Sequence, residues 1–275
     1  MSGGSESVGR PLLQARLEDA VAGCEKGMVM ALSFLTPLER RRAEILLRQR
    51  GAWEQAWFWG GYEDAERATL FLLPDYLLTC LSGPLHQCRA EELCALLEEW
   101  ISEEVCALRI TGSKFRTLTH RDYLGAILHL GLERDALGDI AVQNDHAAIL
   151  FCTPTVATFL TEHLQKAAND AVRCSRCVLD ESFTDGRSYR PISDTVASAR
   201  LDCVVAALIN ASREAAQTAI RAGRVEVEYE VVERTDLVLT PPTVLSIRGH
   251  GRYILRAFDG TTAKGRLRLR ADQLI

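Results

Sequence analysis

The chain has 275 residues, 47% of them hydrophobic and 25% charged, and its formal net charge at pH 7 is −5. No apolar run reaches the roughly 18 residues that span a bilayer, and the N-terminus lacks the basic and apolar parts of a signal peptide. We therefore expect a soluble, cytoplasmic protein of two or three domains with no membrane partner. The nine cysteines, an odd number, predict reduced thiols rather than a disulfide framework.

Charge is distributed unevenly along the chain. Residues 1–110 have 11 Lys and Arg against 17 Asp and Glu, a net charge of −6, and residues 111–195 have 9 against 11, a net charge of −2. Residues 196–275 have 12 against 9, a net charge of +3. A basic segment at one end of an acidic protein indicates an anionic partner.

Residues 1–110 are predicted to form a helical and α+β domain. Apolar side chains recur at helical spacing in the first fifty residues, and Thr36-Pro37 followed by Glu39 is typical of a capped helix start. After Gly51 the pattern changes to two strands, a helix near 90–100 and a strand at 105–110, which favours an α+β arrangement.

Residues 111–173 are predicted to form a middle α/β domain. Thr119 and Asp122 have the spacing of a helix start, and Asn144-Asp145 indicates the turn of a hairpin. Thr153-Pro154 is predicted to begin a helix that runs to about Val172. The polar stretch 174–194 is predicted to be a linker.

Residues 195–275 are predicted to form a small domain of two short helices followed by strands. Leu201, Val205 and Leu208 have the spacing of the buried stripe of the first helix. Ser212 is a natural N-cap for the second helix, and Gly223 is the expected left-handed end.

Basic side chains recur in three elements of this C-terminal segment. On the second helix, one face is predicted to have a hydrogen-bonding stripe of Arg213, Gln217, Arg221 and Arg224. In the turn Arg248-Gly249-His250-Gly251-Arg252, the glycines are predicted to let backbone amides and both guanidinium groups approach one phosphate. The last strand alternates arginines with leucines. A single surface arginine is usually only solvated, but three basic elements within eighty residues predict a binding surface for RNA.

The same residues resemble a known RNA-binding domain. The runs Ser212-Arg213-Glu214-Ala215-Ala216, Ile220-x-x-Gly223-x-Val225 and Ser246–Arg252 resemble the ribosomal-protein-S-four-type domain, or alpha-L motif. Upstream, Lys114–Ala126, Gly138-Asp139-Ile140 and Trp59-Gly60-Gly61-Tyr62 resemble the YlmH family. This resemblance implies binding of rRNA and tRNA on the large ribosomal subunit, in ribosome-associated quality control of stalled nascent chains.

The complete prediction is an α+β, multi-domain protein with a helical N-terminus and two small α/β units, for which an alpha-beta plait is one arrangement. Its C-terminal part is predicted to be an alpha-L RNA-binding domain. We expect a monomer with no cofactor, no metal and no catalytic residue. The RNA contacts expected in the C-terminal domain are Arg200, Ser212, Arg213, Gln217, Arg221, Arg224, Arg248, Gly249, Arg252, Lys264 and Arg266. A second set of candidates, in the middle domain, is Lys114, Arg116, His120 and Arg121.

Two turns depart from the pattern of the alpha-L motif. Glu228-Tyr229-Glu230 stands where an Asn-Gly turn is usual, and Pro241-Pro242-Thr243 stands where Gly-Asp is expected. These departures put RNA contacts at the two turns in doubt but leave the helix stripe and the Arg-Gly turn intact.

Two other classes of function stay open at this point. An RNA-modifying enzyme, such as a pseudouridine synthase or methyltransferase, can have the same domain, although the catalytic run of the former and the glycine-rich cofactor loop of the latter are not found. A protein-binding adaptor could use the cluster of Trp53, Trp57 and Trp59, although such clusters more often lie in a core. Cys174 and Cys177 have the spacing of metal ligands but lack a second pair.

Overall fold

The computed structural model describes residues 6–275, with side chains described from residue 12. The chain divides into two compact units: the first ends at Gly186, and the second is Arg187–Ile275. Both combine helices with antiparallel sheets, which confirms the predicted α+β, multi-domain fold class. No helix in the described part of the chain is long and apolar enough to cross a membrane.

A three-stranded antiparallel sheet and two helices form the N-terminal part of the first unit. The elements are α1 (Glu6–Glu25), β1 (Met30–Leu35), α2 (Pro37–Arg50), β2 (Ala56–Trp59) and β3 (Ala68–Leu72). The strand order is β1-β3-β2, and Leu17, Leu47 and Leu70 lie in the core beneath the helices. The prediction that the first fifty residues are helical is wrong at β1, because pairing with β3 buries Leu32 and Leu35.

Short helices connect this sheet to the next. They are α3 (Asp75–Leu78), α4 (Ala90–Leu96) and α5 (Glu98–Glu104). The helix predicted near 90–100 is therefore two helices, which meet at Leu97, a buried residue outside helical geometry (φ −108°, ψ 16°). This helical pair packs on the side of β3 where Phe71 is buried.

A five-stranded antiparallel sheet with two helices forms the rest of the first unit. The elements are β4 (Cys106–Gly112), α6 (His120–His129), β5 (Leu137–Asn144), β6 (Ala147–Cys152), α7 (Pro154–His163), β7 (Lys166–Ala167) and β8 (Asp170–Cys177). The strand order is β5-β6-β4-β8-β7. With α6 after β4 and α7 after β6, this order is that of an alpha-beta plait. One face of the sheet packs on both helices around Leu108, Tyr123 and Leu160.

The helix predicted to run to Val172 ends earlier, at His163. Leu164 leaves helical geometry (ψ 94°), and Lys166–Ala167 pairs with the start of β8 in a hairpin. The reason is visible in β8, where buried and exposed side chains alternate from Asp170 through Arg173. Alternation with a period of two stabilises a strand rather than a helix.

The structure also differs from the predicted domain boundaries. The boundary at residue 110 falls inside β4, which pairs with β6 and β8. The predicted linker, 174–194, contains the end of β8 and most of β9 (Tyr189–Val196). These strands were missed because their exposed side chains are polar: β9 is an edge strand, and only Val196 of its residues is buried.

The second unit is a six-stranded antiparallel sheet with two helices packed against one face. After β9 its elements are α8 (Leu201–Leu208), α9 (Arg213–Arg221), β10 (Val225–Val227), β11 (Glu230–Val231), β12 (Thr243–Ile247), β13 (Gly251–Thr261) and β14 (Leu267–Leu274). The strand order is β11-β10-β12-β13-β14-β9. As predicted, Leu201, Val205 and Leu208 are buried against the sheet.

Candidate nucleic-acid interface

A buried carboxylate holds the two helices of the second unit together. The side chain of Asp202, on α8, is 0% exposed, and its Oδ1 accepts a hydrogen bond from Arg200 Nε at 3.2 Å. Its Oδ2 accepts hydrogen bonds from Arg213 Nε at 3.0 Å and from Gln217 Nε2 at 2.8 Å, both on α9. The predicted stripe is therefore not free along its whole length, because Arg213 and Gln217 pair with this carboxylate.

The same contacts change the acidity of Asp202. Burial by itself would raise the pKa of this carboxyl, but hydrogen bonds from Arg200, Gln217 and Arg213 outweigh burial and hold the pKa well below its ordinary value. Asp202 is therefore ionised at neutral pH, and its charge is compensated by the guanidinium groups of two arginine side chains that are 37% and 54% exposed. A structural role for Arg200 and Arg213 follows from this geometry.

Three other arginines lie at the end of α9, just before β10 and in the turn between β12 and β13. The amide of Arg248 donates to the carbonyl oxygen of Arg224 at 2.9 Å, and both side chains line one shallow pocket with Gly249. Arg221 is the last residue of α9, three residues before Arg224 in the chain. Arg221, Arg224 and Arg248 are exposed, and none forms an ion pair with any residue in 12–275. We name Arg221, Arg224, Arg248 and Gly249 the arginine site.

The glycines of this turn have a conformational role. Gly249 has a φ of +89° and Gly251 has a φ of +99°, which L side chains rarely adopt. A Cβ added at Gly249 would meet nothing within 4 Å. The turn therefore needs glycine for its backbone shape. This shape allows Ile247, at the end of β12, to pair with Gly251, at the start of β13.

The remaining C-terminal candidates lie elsewhere on the second unit. The guanidinium group of Arg252 lies over the ring of Tyr229, 5.8 Å from its centroid. The side chain of Arg266 donates to the hydroxyl of Thr195 at 3.1 Å and fastens β14 to β9. Lys264 is exposed in the turn between β13 and β14.

The turn at Glu228-Tyr229 keeps the backbone of a tight hairpin without the Asn-Gly pair. Glu228 and Tyr229 both have positive φ, 52° and 66°. Such a pair of angles is that of a type I′ turn, which connects β10 to β11 with the correct twist. A side-chain oxygen of Glu228 accepts from the amide of Val244 at 2.7 Å and stabilises this shape.

Ser212 caps α9 as predicted, and its replacement by alanine is expected to destabilise the second unit. Its hydroxyl accepts a hydrogen bond from the amide of Ala215 at 3.1 Å. Loss of this cap should lower the free energy of unfolding by about 1 kcal/mol. Hydrogen exchange of the amides in α9 measures this loss, whereas Ser212→Asp, which keeps a capping oxygen, should retain the protection. Equal protection in Ser212→Ala and the parent would contradict a capping role.

The candidates of the first unit lie in and after the loop that follows β4. Lys114 and Arg116 are exposed in this loop, and His120 and Arg121 begin α6. Desolvation and the nearby Arg134 lower the pKa of His120, so its ring is mostly neutral at pH 7. The structure brings Arg121 together with other basic side chains that the sequence analysis missed. These side chains, His129, His163 and Lys166, line one shallow pocket with it.

Two motifs that resemble the YlmH family have structural roles. The carboxylate of Asp139 accepts from the Tyr62 hydroxyl at 2.7 Å and from the amides of Glu66 and Arg67 at 2.7 and 3.1 Å. Gly138 packs so closely that an added Cβ would lie 2.5 Å from the Phe34 ring. These contacts join the two sheets of the first unit.

The tryptophans proposed as an adaptor surface are partly buried. Trp57 and Trp59 stack at 5.3 Å between ring centroids and pack against the core around Phe71. Trp53 stacks on His86, with Arg48 over its ring. In the part of the chain with described side chains, no group of three or more His, Cys, Asp or Glu residues is arranged to hold a metal ion.

Comparison with known proteins shows the family. The family model described as "Putative RNA-binding domain in YlmH" matches residues 104–181, a range that contains β4 to β8 and hence the plait. A curated relative, "Ribosome-associated protein quality control protein P2" of Bacillus subtilis (strain 168), is 32% identical over 213 residues, covering 77% of this chain and 75% of the relative. The chain therefore belongs to the YlmH family. A solved structure, "Cell division protein ylmH from Streptococcus pneumoniae", is 19% identical with a TM-score of 0.46, covering 61% of this chain and 90% of that one.

Proposed function

We propose that this protein binds structured RNA on the ribosome through the arginine site of its second unit. The observation that carries the proposal is the approach of Arg224 and Arg248 beside Gly249, with Arg221 three residues before Arg224 in the chain. All three are exposed and without ion pairs in residues 12–275, in a segment of net charge +3. Guanidinium groups form strong, geometrically defined hydrogen bonds to phosphate oxygens. We also propose that this second unit is an alpha-L domain.

The finer assignment concerns the partner. We propose that the protein binds rRNA and tRNA on the large ribosomal subunit, as a monomer, in quality control of stalled nascent chains in the cytoplasm. The name of the Bacillus subtilis relative supports a ribosomal role, and the matched family model supports RNA as the ligand. A binding role without catalysis agrees with both descriptions.

The arginine site suits recognition of RNA by phosphates and shape. The deep groove of an RNA duplex does not admit side chains that would read base edges, so its backbone is the accessible feature. Contacts to phosphates define position and orientation rather than sequence. We therefore propose that a folded RNA helix of a particular shape, rather than a base sequence, is the target of the second unit.

Affinity for such RNA is expected to depend strongly on salt. If the arginine site neutralises about three phosphates, the logarithm of the association constant should fall against the logarithm of salt concentration with a slope of roughly −2 to −3. Fluorescence anisotropy with a labelled fragment of large-subunit rRNA, measured over a series of KCl concentrations, gives this slope. A slope near zero would contradict phosphate binding.

Sedimentation tests the proposed partner. The full chain should co-sediment with purified large ribosomal subunits and not with small subunits, and ultraviolet crosslinking should join it to rRNA and to tRNA. An adaptor that binds only protein would sediment without an RNA crosslink and would keep its partner after nuclease treatment. Sedimentation with neither subunit would overturn the ribosomal assignment.

A further inference from the structure

One aromatic side chain of the first unit is almost fully exposed. Phe115, in the loop between β4 and α6, is 91% exposed, the largest fraction among the exposed large apolar side chains of the described residues. Burying such a ring in a core would stabilise the fold, and at this position the ring is not buried. A single exposed apolar side chain is common on protein surfaces, so the meaning of this ring depends on the loop that holds it and on the charges nearby.

The loop that holds Phe115 is fastened at its start by a buried carboxylate. Asp170, only 3% exposed, accepts hydrogen bonds from the hydroxyl of Ser113 and from its amide, the latter at 3.1 Å. The Ser113 hydroxyl oxygen in turn accepts from the amide of Phe115 at 3.4 Å. Lys114 has a φ of +68°, which turns the chain sharply between these two residues.

The end of the loop is fastened as well. The carbonyl oxygen of Arg116 lies 3.1 Å from Nδ1 of His146, and the amide of Leu118 donates to the carbonyl oxygen of Asp145 at 2.8 Å. Leu118 itself is buried in the core of the plait. Since both ends are held, the ring of Phe115 is presented by an ordered loop, and little conformational entropy would be lost when a ligand binds it.

Three cations lie near Phe115 along the chain or across the adjoining strand pair. Lys114 and Arg116 flank Phe115 in sequence, and Arg173 on β8 pairs across from Thr111, three residues before Lys114. All three cations are exposed, and within residues 12–275 none of them forms an ion pair. The combination of an exposed aromatic face with unpaired cations is that of a platform on which a nucleic-acid base stacks while its phosphates are neutralised.

We propose that Phe115 stacks on an unpaired base of the bound RNA, with Lys114 and Arg116 against the phosphates on either side of that base. In a duplex both faces of a base are covered by its neighbours, so the ligand is a nucleotide in a loop, a bulge or a single-stranded end. This inference rests on the proposed function, and it adds a class of RNA feature that the arginine site does not recognise.

Two RNAs and three variants of the full chain test the inference. The RNAs are a hairpin with a loop of unpaired uridines and a fully paired duplex with the sequence of its stem. Phe115→Ala is expected to weaken binding of the hairpin about tenfold and to leave binding of the duplex unchanged. Phe115→Trp should retain hairpin binding, because the larger ring also stacks. The matched control is Val178→Ala, a comparably exposed apolar side chain (90%) in the same unit, which should bind both RNAs like the parent.

Each result decides between the two proposals. Unchanged hairpin binding by Phe115→Ala, or an equal loss with Phe115→Trp, would overturn stacking at Phe115 and leave the arginine site standing. Equal weakening of hairpin and duplex would also overturn a contact specific to an unpaired base. If the parent chain bound neither RNA, the proposed function would fail, and this inference with it.

Discussion

Replacing Arg224 and Arg248 together by glutamate is expected to weaken binding of structured rRNA on the order of 100-fold at low salt. Two phosphate contacts are lost, and two negative charges are placed where the phosphates would lie. The salt dependence should flatten by about two in its logarithmic slope. Both side chains are exposed, so the fold of the second unit should be retained. Anisotropy with the labelled rRNA fragment measures both effects.

A control with the same change in net charge separates a local site from general electrostatics. Arg234 and Arg270 lie in the same unit, but they form ion pairs with Asp236 at 3.4 Å and Asp259 at 2.9 Å. The double variant Arg234→Glu with Arg270→Glu should weaken binding far less than the variant at Arg224 and Arg248. Equal losses in the two double variants would show that net charge alone attracts the RNA and would contradict a defined arginine site.

Replacing Asp202 by alanine is expected to lower the free energy of unfolding of the second unit by about 2–3 kcal/mol. The change leaves Arg200, Arg213 and Gln217 without their shared acceptor, and removing one partner of a buried ion pair costs about 3–5 kcal/mol when both partners are buried. A smaller loss is expected because both guanidinium groups are partly exposed and can turn toward water.

The measurement has to report on the second unit by itself. The four tryptophans, Trp53, Trp57, Trp59 and Trp100, all lie in the first unit, so their fluorescence reports on that unit. Hydrogen exchange of α8 and α9 amides reports on the second, and protection there should fall while tryptophan fluorescence stays unchanged. The matched control is Asp236→Ala, because Asp236 pairs with Arg234 at an exposed site and should contribute less than about 1 kcal/mol. Equal effects of the two variants would contradict the structural role of Asp202.

The contribution of Asp202 should also depend on pH. The pKa of this carboxyl is lowered in the folded state, so its contribution is fully present above the unfolded-state pKa of about 3.9 and is lost as the pH falls through the folded-state pKa. The difference in stability between the parent and Asp202→Ala should therefore be constant near neutral pH and shrink in acid. A stability difference between these two proteins that grew as the pH fell would contradict a lowered pKa for Asp202 in the folded state.

Local signals in the sequence predicted the features that depend on near neighbours along the chain. The cap at Ser212, the left-handed end of α9 at Gly223 and the hairpin after β5 were all predicted and are all observed, with the turn at Asp145-His146, one residue later than predicted. Each of these depends on backbone angles and hydrogen bonds within a few residues, so composition and spacing are sufficient to predict them. The buried stripe of α8 was predicted for the same reason.

The sequence by itself determined the α+β class, the basic C-terminal segment and which arginines were candidates for the surface. Only the tertiary structure decided which of those arginines are available, since Arg213 faces Asp202 from another helix whereas Arg224 and Arg248 meet across a strand pair. It also decided that Phe115 is exposed and that the polar residues of β9 form an edge strand. The physical reason is that pairing and burial depend on residues distant in sequence, and a charged side chain has the same local pattern whether its partner is a buried carboxylate or solvent.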